Sequence, residues 1–194
     1  MSKLTSLCVF CGSRPGTDPA HAAQGEKLGR LLGERGVRLV YGGGGIGLMA
    51  AVANAAIAAG GAVTGIIPEF LRAYEVGVVN GAEEIVVEGM HERKAKMFEI
   101  SDAFVVLPGG LGTLDESIEI TTWKQLQQHN KPIVFVNTNG YWDPYFALVD
   151  RVIDGGFGHH KVKELFQVVD NVDEIFDAIA AAPQADEIVL TSHL

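Results

Sequence analysis

The sequence predicts an α/β fold, a Rossmann-like doubly wound parallel sheet with helices on both faces. Three observations carry that reading. Apolar runs of strand length recur, and each is followed by a helix-like or looser segment, which is how βα units feed a parallel sheet. The run Ala103-Phe104-Val105-Val106-Leu107 is continuously apolar, as a buried strand would be. The length of 194 residues suits one domain with a substantial core. In order, a strand at 7–11 precedes a helix at 19–35, and a strand at 37–41 precedes a helix at 47–60. A strand at 62–67 leads into a looser stretch at 68–82, and 84–87 precedes a helix at 90–100. The run 103–107 precedes a helix at 113–126, 132–136 precedes 145–155, and 165–169 precedes 172–181. Residues 1–182 are expected to form the single domain and 183–194 a C-terminal tail.

Composition narrows the function classes. Apolar residues make up 47% and charged residues 20%, ordinary for a globular protein. The net charge is −9, and no block of Lys and Arg is present to follow a nucleic-acid backbone. A small phosphorylated ligand remains compatible, because local N–H groups and one or two cations suffice to hold it. The apolar run at 50–59 is too short, and too broken by Asn54, to cross a bilayer. Residues 1–6 lack the apolar segment of a secretory signal, so a cytoplasmic protein without membrane partners is expected. Cys8 and Cys11 match C-x-x-C but lie within one strand, where positions three apart point to opposite faces. Burial as small apolar side chains is expected in place of redox chemistry. None of the six histidines, His21, His91, His129, His159, His160 and His193, has a second ligand at metal spacing. Neither a metal nor a cofactor is expected, and no Ser–His–Asp or Cys–His arrangement stands out.

Ligands of doubly wound sheets bind beyond the carboxyl ends of the strands, so the turns there matter most. The first, Gly12-Ser13-Arg14-Pro15-Gly16, is flexible and carries a hydroxyl. The second, from Gly42 to Met49, contains Gly42-x-Gly44-x-x-Gly47, but a run of glycines satisfies the dinucleotide fingerprint trivially. It follows the second strand, no acidic residue ends the next one, and no Lys-Ser or Lys-Thr makes it a Walker loop. Close approach to a smaller ligand or tight helix–strand packing explains it better than NAD. After the fourth strand, Met90, Arg93 and Met97 share one helical face. Arg93 there either snorkels or faces an anionic ligand, whereas Lys94 and Lys96 read as solvated and Glu92–Lys96 as an i, i+4 pair. Glu69 and Glu75 lie in the looser stretch, exposed or forming a flap. The fifth turn is the most informative: Pro108-Gly109-Gly110-Leu111-Gly112-Thr113-Leu114-Asp115-Glu116. Three glycines in four positions at a strand-to-helix junction leave backbone N–H groups open to an anion, most often phosphate. Thr113-x-x-Glu116 also reads as a capping box.

Cys11-Gly12-Ser13, Tyr41-Gly42-Gly43-Gly44 through Gly47-Leu48-Met49, Met90-His91-x-Arg93-Lys94 and Pro108-Gly109-Gly110-x-Gly112-Thr113-x-x-Glu116 stand in order along the chain. Together they resemble the LOG ("lonely guy") family of cytokinin riboside 5′-monophosphate phosphoribohydrolases, from about residue 4 to 181. Members were often labelled lysine decarboxylases, a chemistry the similarity does not support; no Schiff-base lysine stands out. The resemblance implies hydrolysis of the N-glycosidic bond of a purine nucleoside 5′-monophosphate, bearing adenine or an N6-modified adenine, to free base and ribose 5-phosphate. It implies Arg93 and Glu116 as the catalytic pair. Substrate contacts implied by it are Ser13, Lys94, the loop residues Gly110, Leu111, Gly112, Thr113, Leu114 and Asp115, and Thr122. Glu75 fits the family's flap glutamate, 18 residues before Arg93 without a gap. Asp115 stands where many relatives carry Glu. The resemblance further implies a homodimer with its sites near the subunit contact. Chemically, a carboxylate beside the ribose suits the positive charge that N-glycosidic cleavage develops. The rival reading is a nucleotide-binding sensor module without turnover on the same fold.

Overall fold

The structure, a computed structural model, describes residues 4–72 and 79–183. Among the described residues seven strands form one sheet: β1 (Ser6–Phe10), β2 (Arg38–Tyr41), β3 (Val63–Pro68), β4 (Glu83–Val87), β5 (Ala103–Val106), β6 (Ile133–Val136) and β7 (Gln167–Val169). Their order is β4-β3-β2-β1-β5-β6-β7, and every neighbouring pair is parallel. The chain therefore winds outward from β1 to one edge, crosses back from β4 to β5, and winds to the other edge. The crevice of such a sheet opens where the order reverses, beyond the ends of β1 and β5.

Side chains of successive strand residues enter two separate cores, as the pleat requires. Leu7, Val9 and Val105 pack with α1 (Pro19–Arg35), α2 (Gly47–Ala58) and α7 (Ile175–Ala181). Cys8, Phe10, Phe104 and Phe135 pack on the other face with α4 (Met90–Glu99), α5 (Leu111–Gln125) and α6 (Asp143–Asp154). Cys8 and Cys11 thus occupy opposite cores as free, buried thiols, and burial pushes both above the usual cysteine range. Among the described residues no helix is long and apolar enough to cross a membrane.

The first helix shows why boundaries were readable where caps are local. Asp18 accepts the Ala20 N–H at 2.9 Å, Pro19 opens the helix, and Gly36 closes it in the left-handed region at φ 64°. Where α1 crosses α2, Gly29 lies against the Val52 carbonyl, and a side chain there would overlap it.

Two expectations need correction. The looser stretch begins later than expected: β3 runs on through Pro68, and a short helix, α3 (Glu69–Arg72), follows with Glu69 exposed. Glu75 lies outside the described residues, as do 184–194 of the tail. The helix expected from Thr113 starts two residues earlier, with Gly110 as its extended N-cap.

Candidate active site

A cavity of about 230 Å³ opens beyond the carboxyl ends of β1, β2 and β5, at the reversal point of the sheet. Ser13, Gly42, Arg93, Gly110, Thr113 and Glu116 line it. Five of these were expected as site residues; Gly42 was not.

Arg93 is buried on α4, between the methionines expected to share its face, and it does not snorkel. Its Nε donates to the Ile66 carbonyl at 3.0 Å and its Nη2 to the Gly42 carbonyl at 3.0 Å. Nη1 lies 3.4 Å from Glu116 Oε1. Two main-chain acceptors hold the guanidinium plane while its remaining edge faces the carboxylate. Gly42 makes this possible, because a Cβ at that position would overlap the guanidinium. Gly47, at φ 62°, sits so close to the Ser13 backbone that a side chain would overlap it. The glycine run therefore packs turns against one another and admits Arg93.

Glu116 projects from α5 and is 8% exposed. Burial pushes its carboxyl up to about 7, against the pull of Arg93; the nearby Asp115 adds to the rise. The Arg93 contact is an ion pair at the long end of hydrogen-bond range. Among the described residues no other group bonds the carboxylate. A carboxyl that titrates near neutrality inside a cleft is suited to proton transfer or to facing a developing cation.

The fifth turn meets the first. Gly12 N–H donates to the Pro108 carbonyl at 3.0 Å, and the Gly12 carbonyl accepts from Leu48 and Met49 at the start of α2. The three glycines of the turn divide their roles. A Cβ on Gly109 would sit 2.9 Å from Gly12 N and overlap Thr113, whereas Gly110 and Gly112 face open space. No side chain caps α5, and its first backbone bond runs from Leu114 N–H to the Gly110 carbonyl. The N–H groups of Leu111, Gly112 and Thr113 have no bonded acceptor among the described residues. A helix terminus with its backbone N–H groups bare in this way is suited to an anion. The capping-box reading fails, because Thr113 lies inside the first turn and Glu116 turns to Arg93.

Gly112 also lines the cavity, whereas Lys94, Leu114, Asp115 and Thr122 lie outside its lining in the single chain. Lys94 is not solvated: its Nζ is 3.1 Å from Asp115 Oδ2 and 3.0 Å from Glu119 Oε2. Burial opposes its charge, but those two carboxylates outweigh it and hold the ammonium above the usual lysine range. Lys96 pairs with Glu99 at 2.9 Å, while Glu92 accepts the Glu88 N–H, so the expected Glu92–Lys96 pair does not form. Leu114 packs on the second core, Asp115 is exposed, and Thr122 donates to the Ile118 carbonyl on the outer face of α5. Leu111 stands at the cavity mouth, 85% exposed. Sequence reasoning also missed Tyr141, whose hydroxyl donates to the Gly109 carbonyl at 2.7 Å. It borders a second hollow of about 520 Å³ that shares Gly12, Ser13, Gly110 and Leu111 with the first. Among the described residues no group of three or more His, Cys, Asp or Glu is placed to hold a metal ion.

With this geometry in place, similarity to known proteins is informative. The family model described as "Possible lysine decarboxylase" matches residues 49–179. The rice (Oryza sativa subsp. japonica) protein named cytokinin riboside 5′-monophosphate phosphoribohydrolase LOG is 41% identical over 189 residues, covering 97% of this chain and 73% of that protein. A Rhodococcoides fascians protein named cytokinin riboside 5′-monophosphate phosphoribohydrolase is 44% identical over 153 residues, covering 78% of this chain and 77% of its own. Among solved structures, the molybdenum cofactor binding protein of Rippkaea orientalis superposes with a TM-score of 0.70 at 19% identity, covering 93% of this chain and 98% of that one. A molybdenum cofactor carrier protein of Chlamydomonas reinhardtii gives 0.68 at 20%, covering 92% and 96%. At such identities these two share the fold alone. The sequence relatives go further: this chain belongs to the LOG family, whose curated members carry the phosphoribohydrolase name.

Proposed function

We propose that this protein hydrolyses the N-glycosidic bond of purine nucleoside 5′-monophosphates, AMP or its N6-modified forms, to free base and ribose 5-phosphate. The observation that carries the reading is the buried Arg93–Glu116 pair at 3.4 Å, set beside a helix terminus whose N–H groups face the same cavity. The 5′-phosphate docks on the N–H groups of Gly110, Leu111, Gly112 and Thr113, so that remote binding energy holds the ribose in place. Water adds at C1′ as the bond to the base breaks. The Glu116 carboxylate offsets the positive charge on the sugar and takes the proton of that water, while the departing base keeps the bonding electron pair and takes up a proton from solvent. Arg93 keeps Glu116 oriented and favours its ionised form. The names of the relatives at 41% and 44% identity support the same chemistry. Purified protein incubated with AMP, GMP, CMP and isopentenyladenosine monophosphate, followed by chromatography, is expected to release base from the adenine nucleotides. Binding of AMP with no base released from any of the four would favour a sensor module instead.

We further propose that the protein is a homodimer paired through the outer face of α5. That face presents Leu111, Ile118 and Leu126 to solvent, an apolar stripe on an otherwise acidic molecule. Analytical ultracentrifugation should give twice the chain mass of 20.7 kDa, and a lone monomer at micromolar concentration would refute the pairing.

A further inference from the structure

The glycine turn has little stiffness of its own. Neither Gly109 nor Gly110 carries a side chain, so the peptide between them is free to take either orientation unless something holds it. On one side the turn is held through the preceding peptide, where the Pro108 carbonyl accepts from Gly12 N–H. On the other side Tyr141 reaches it from the loop after β6, donating its hydroxyl to the Gly109 carbonyl at 2.7 Å.

Tyr141 is itself well braced. Its ring meets the buried His21 ring edge-on at 5.2 Å and the Trp142 ring at 5.0 Å. The same loop is tied to the start of α1 by Asn139, whose Nδ2 donates to Asp18 Oδ2 at 2.8 Å. Asn137 completes the loop, accepting the Trp142 N–H at 2.7 Å. A hydroxyl carried on so fixed a ring imposes a direction on whatever it bonds.

A trans peptide is planar, and its C=O and N–H point in opposite directions. The carbonyl of Gly109 is drawn toward Tyr141, on the side of the second hollow, where both residues stand. The N–H of Gly110 belongs to the same peptide plane and so points away from Tyr141; Gly110 lines the first cavity as well as the second hollow, whereas Gly109 lines the second alone. No described residue accepts from that N–H.

We propose that Tyr141 is a positioning residue for phosphate binding: its hydroxyl sets the Gly109–Gly110 peptide so that the Gly110 N–H faces the ligand's phosphoryl group. The assignment rests on the phosphate-docking reading above and extends it to a residue that never touches substrate. Tyr141→Phe keeps the ring against His21 and Trp142 and removes only the hydroxyl. By titration calorimetry on the full chain, the Kd of ribose 5-phosphate and of AMP should rise about threefold to tenfold, the loss of roughly one hydrogen bond. The Kd of adenosine should stay within about twofold, and the kcat for AMP should change little, as expected when ground-state and transition-state binding fall together. Tyr141→Ala should lose the same selectivity for phosphorylated ligands and melt at a lower temperature as well. Equal weakening of adenosine and AMP would reduce Tyr141 to a structural role, and unchanged affinity for ribose 5-phosphate with AMP still hydrolysed would overturn the assignment alone. A parent protein that binds ribose 5-phosphate in a Tyr141-dependent way yet never releases base would uphold the assignment and overturn the hydrolase reading. One that binds neither phosphorylated ligand would overturn both.

Discussion

Glu116→Gln is expected to slow base release from AMP by about 10³-fold while AMP still binds, the size of loss usual for a removed proton-transferring carboxyl. Gln keeps the shape and can still accept from Arg93 Nη1 across the 3.4 Å contact. It cannot carry the negative charge that faces the ribose, nor take a proton from water. The parent's pH profile should show the same group at work. Burial pushes the Glu116 carboxyl up to about 7, so the active carboxylate is depleted as pH falls through that value. The kcat/KM should therefore show an acidic limb near pH 7, rising to a plateau on the alkaline side. Arg93 pulls Glu116 toward ionisation, so Arg93→Ala should move that limb to higher pH as well as lower the plateau. Steady-state assay of free base across pH 5 to 9 reads all three results. A Glu116→Gln enzyme within about tenfold of the parent would remove Glu116 from the reaction.

How much of this was legible depends on whether the cause of a feature lies near it in the chain. The bounds of α1 are local: Asp18, Pro19 and Gly36 announce both ends, and the structure places the helix at Pro19–Arg35 as expected. The start of α5 is not local. Gly110, Leu111 and Gly112 are a poor helix opening by propensity, and only the docking of the turn onto Gly12 fixes where the helix begins. Arg93 read as a charge on a packing face, yet its acceptors Ile66 and Gly42 lie 27 and 51 residues away. No periodicity argument reaches that far, and for the same reason Gly42 appeared as one glycine in a run instead of the space for a guanidinium. Lys94 was misread because the helical wheel of α4 says nothing about Asp115 and Glu119 on the neighbouring helix. Tyr141 carried a weak signal, an aromatic residue directly after Asn139-Gly140, whose partner sits 32 residues earlier.

Lys124→Met is expected to stabilise the protein at neutral pH by about 2–3 kcal/mol, raising Tm by about 5–10 °C for a chain of this length. Lys124 lies on the inward face of α5 beside Ile120 and Thr121, with 1% of its surface exposed. Among the described residues no carboxylate, carbonyl or hydroxyl bonds its ammonium. Burial alone pulls it down to about 8, from an ordinary 10.5, and it in turn helps to depress His129. The pH dependence follows from the direction of that shift. Below about 8 the ammonium is charged in both folded and unfolded chains, so its burial cost is fully present. Between 8 and 10.5 the folded chain has shed the proton and the unfolded chain has not, so the parent gains stability as pH rises. The advantage of the variant should therefore be largest at pH 7 and shrink toward pH 10. Met matches the length of the apolar stem and leaves no charge to desolvate. Activity should be unchanged, because Lys124 does not line the cavity. Urea melts of both proteins at pH 7 and pH 10 give the comparison, and a variant less stable than the parent at pH 7 would mean that the ammonium has a stabilising role after all.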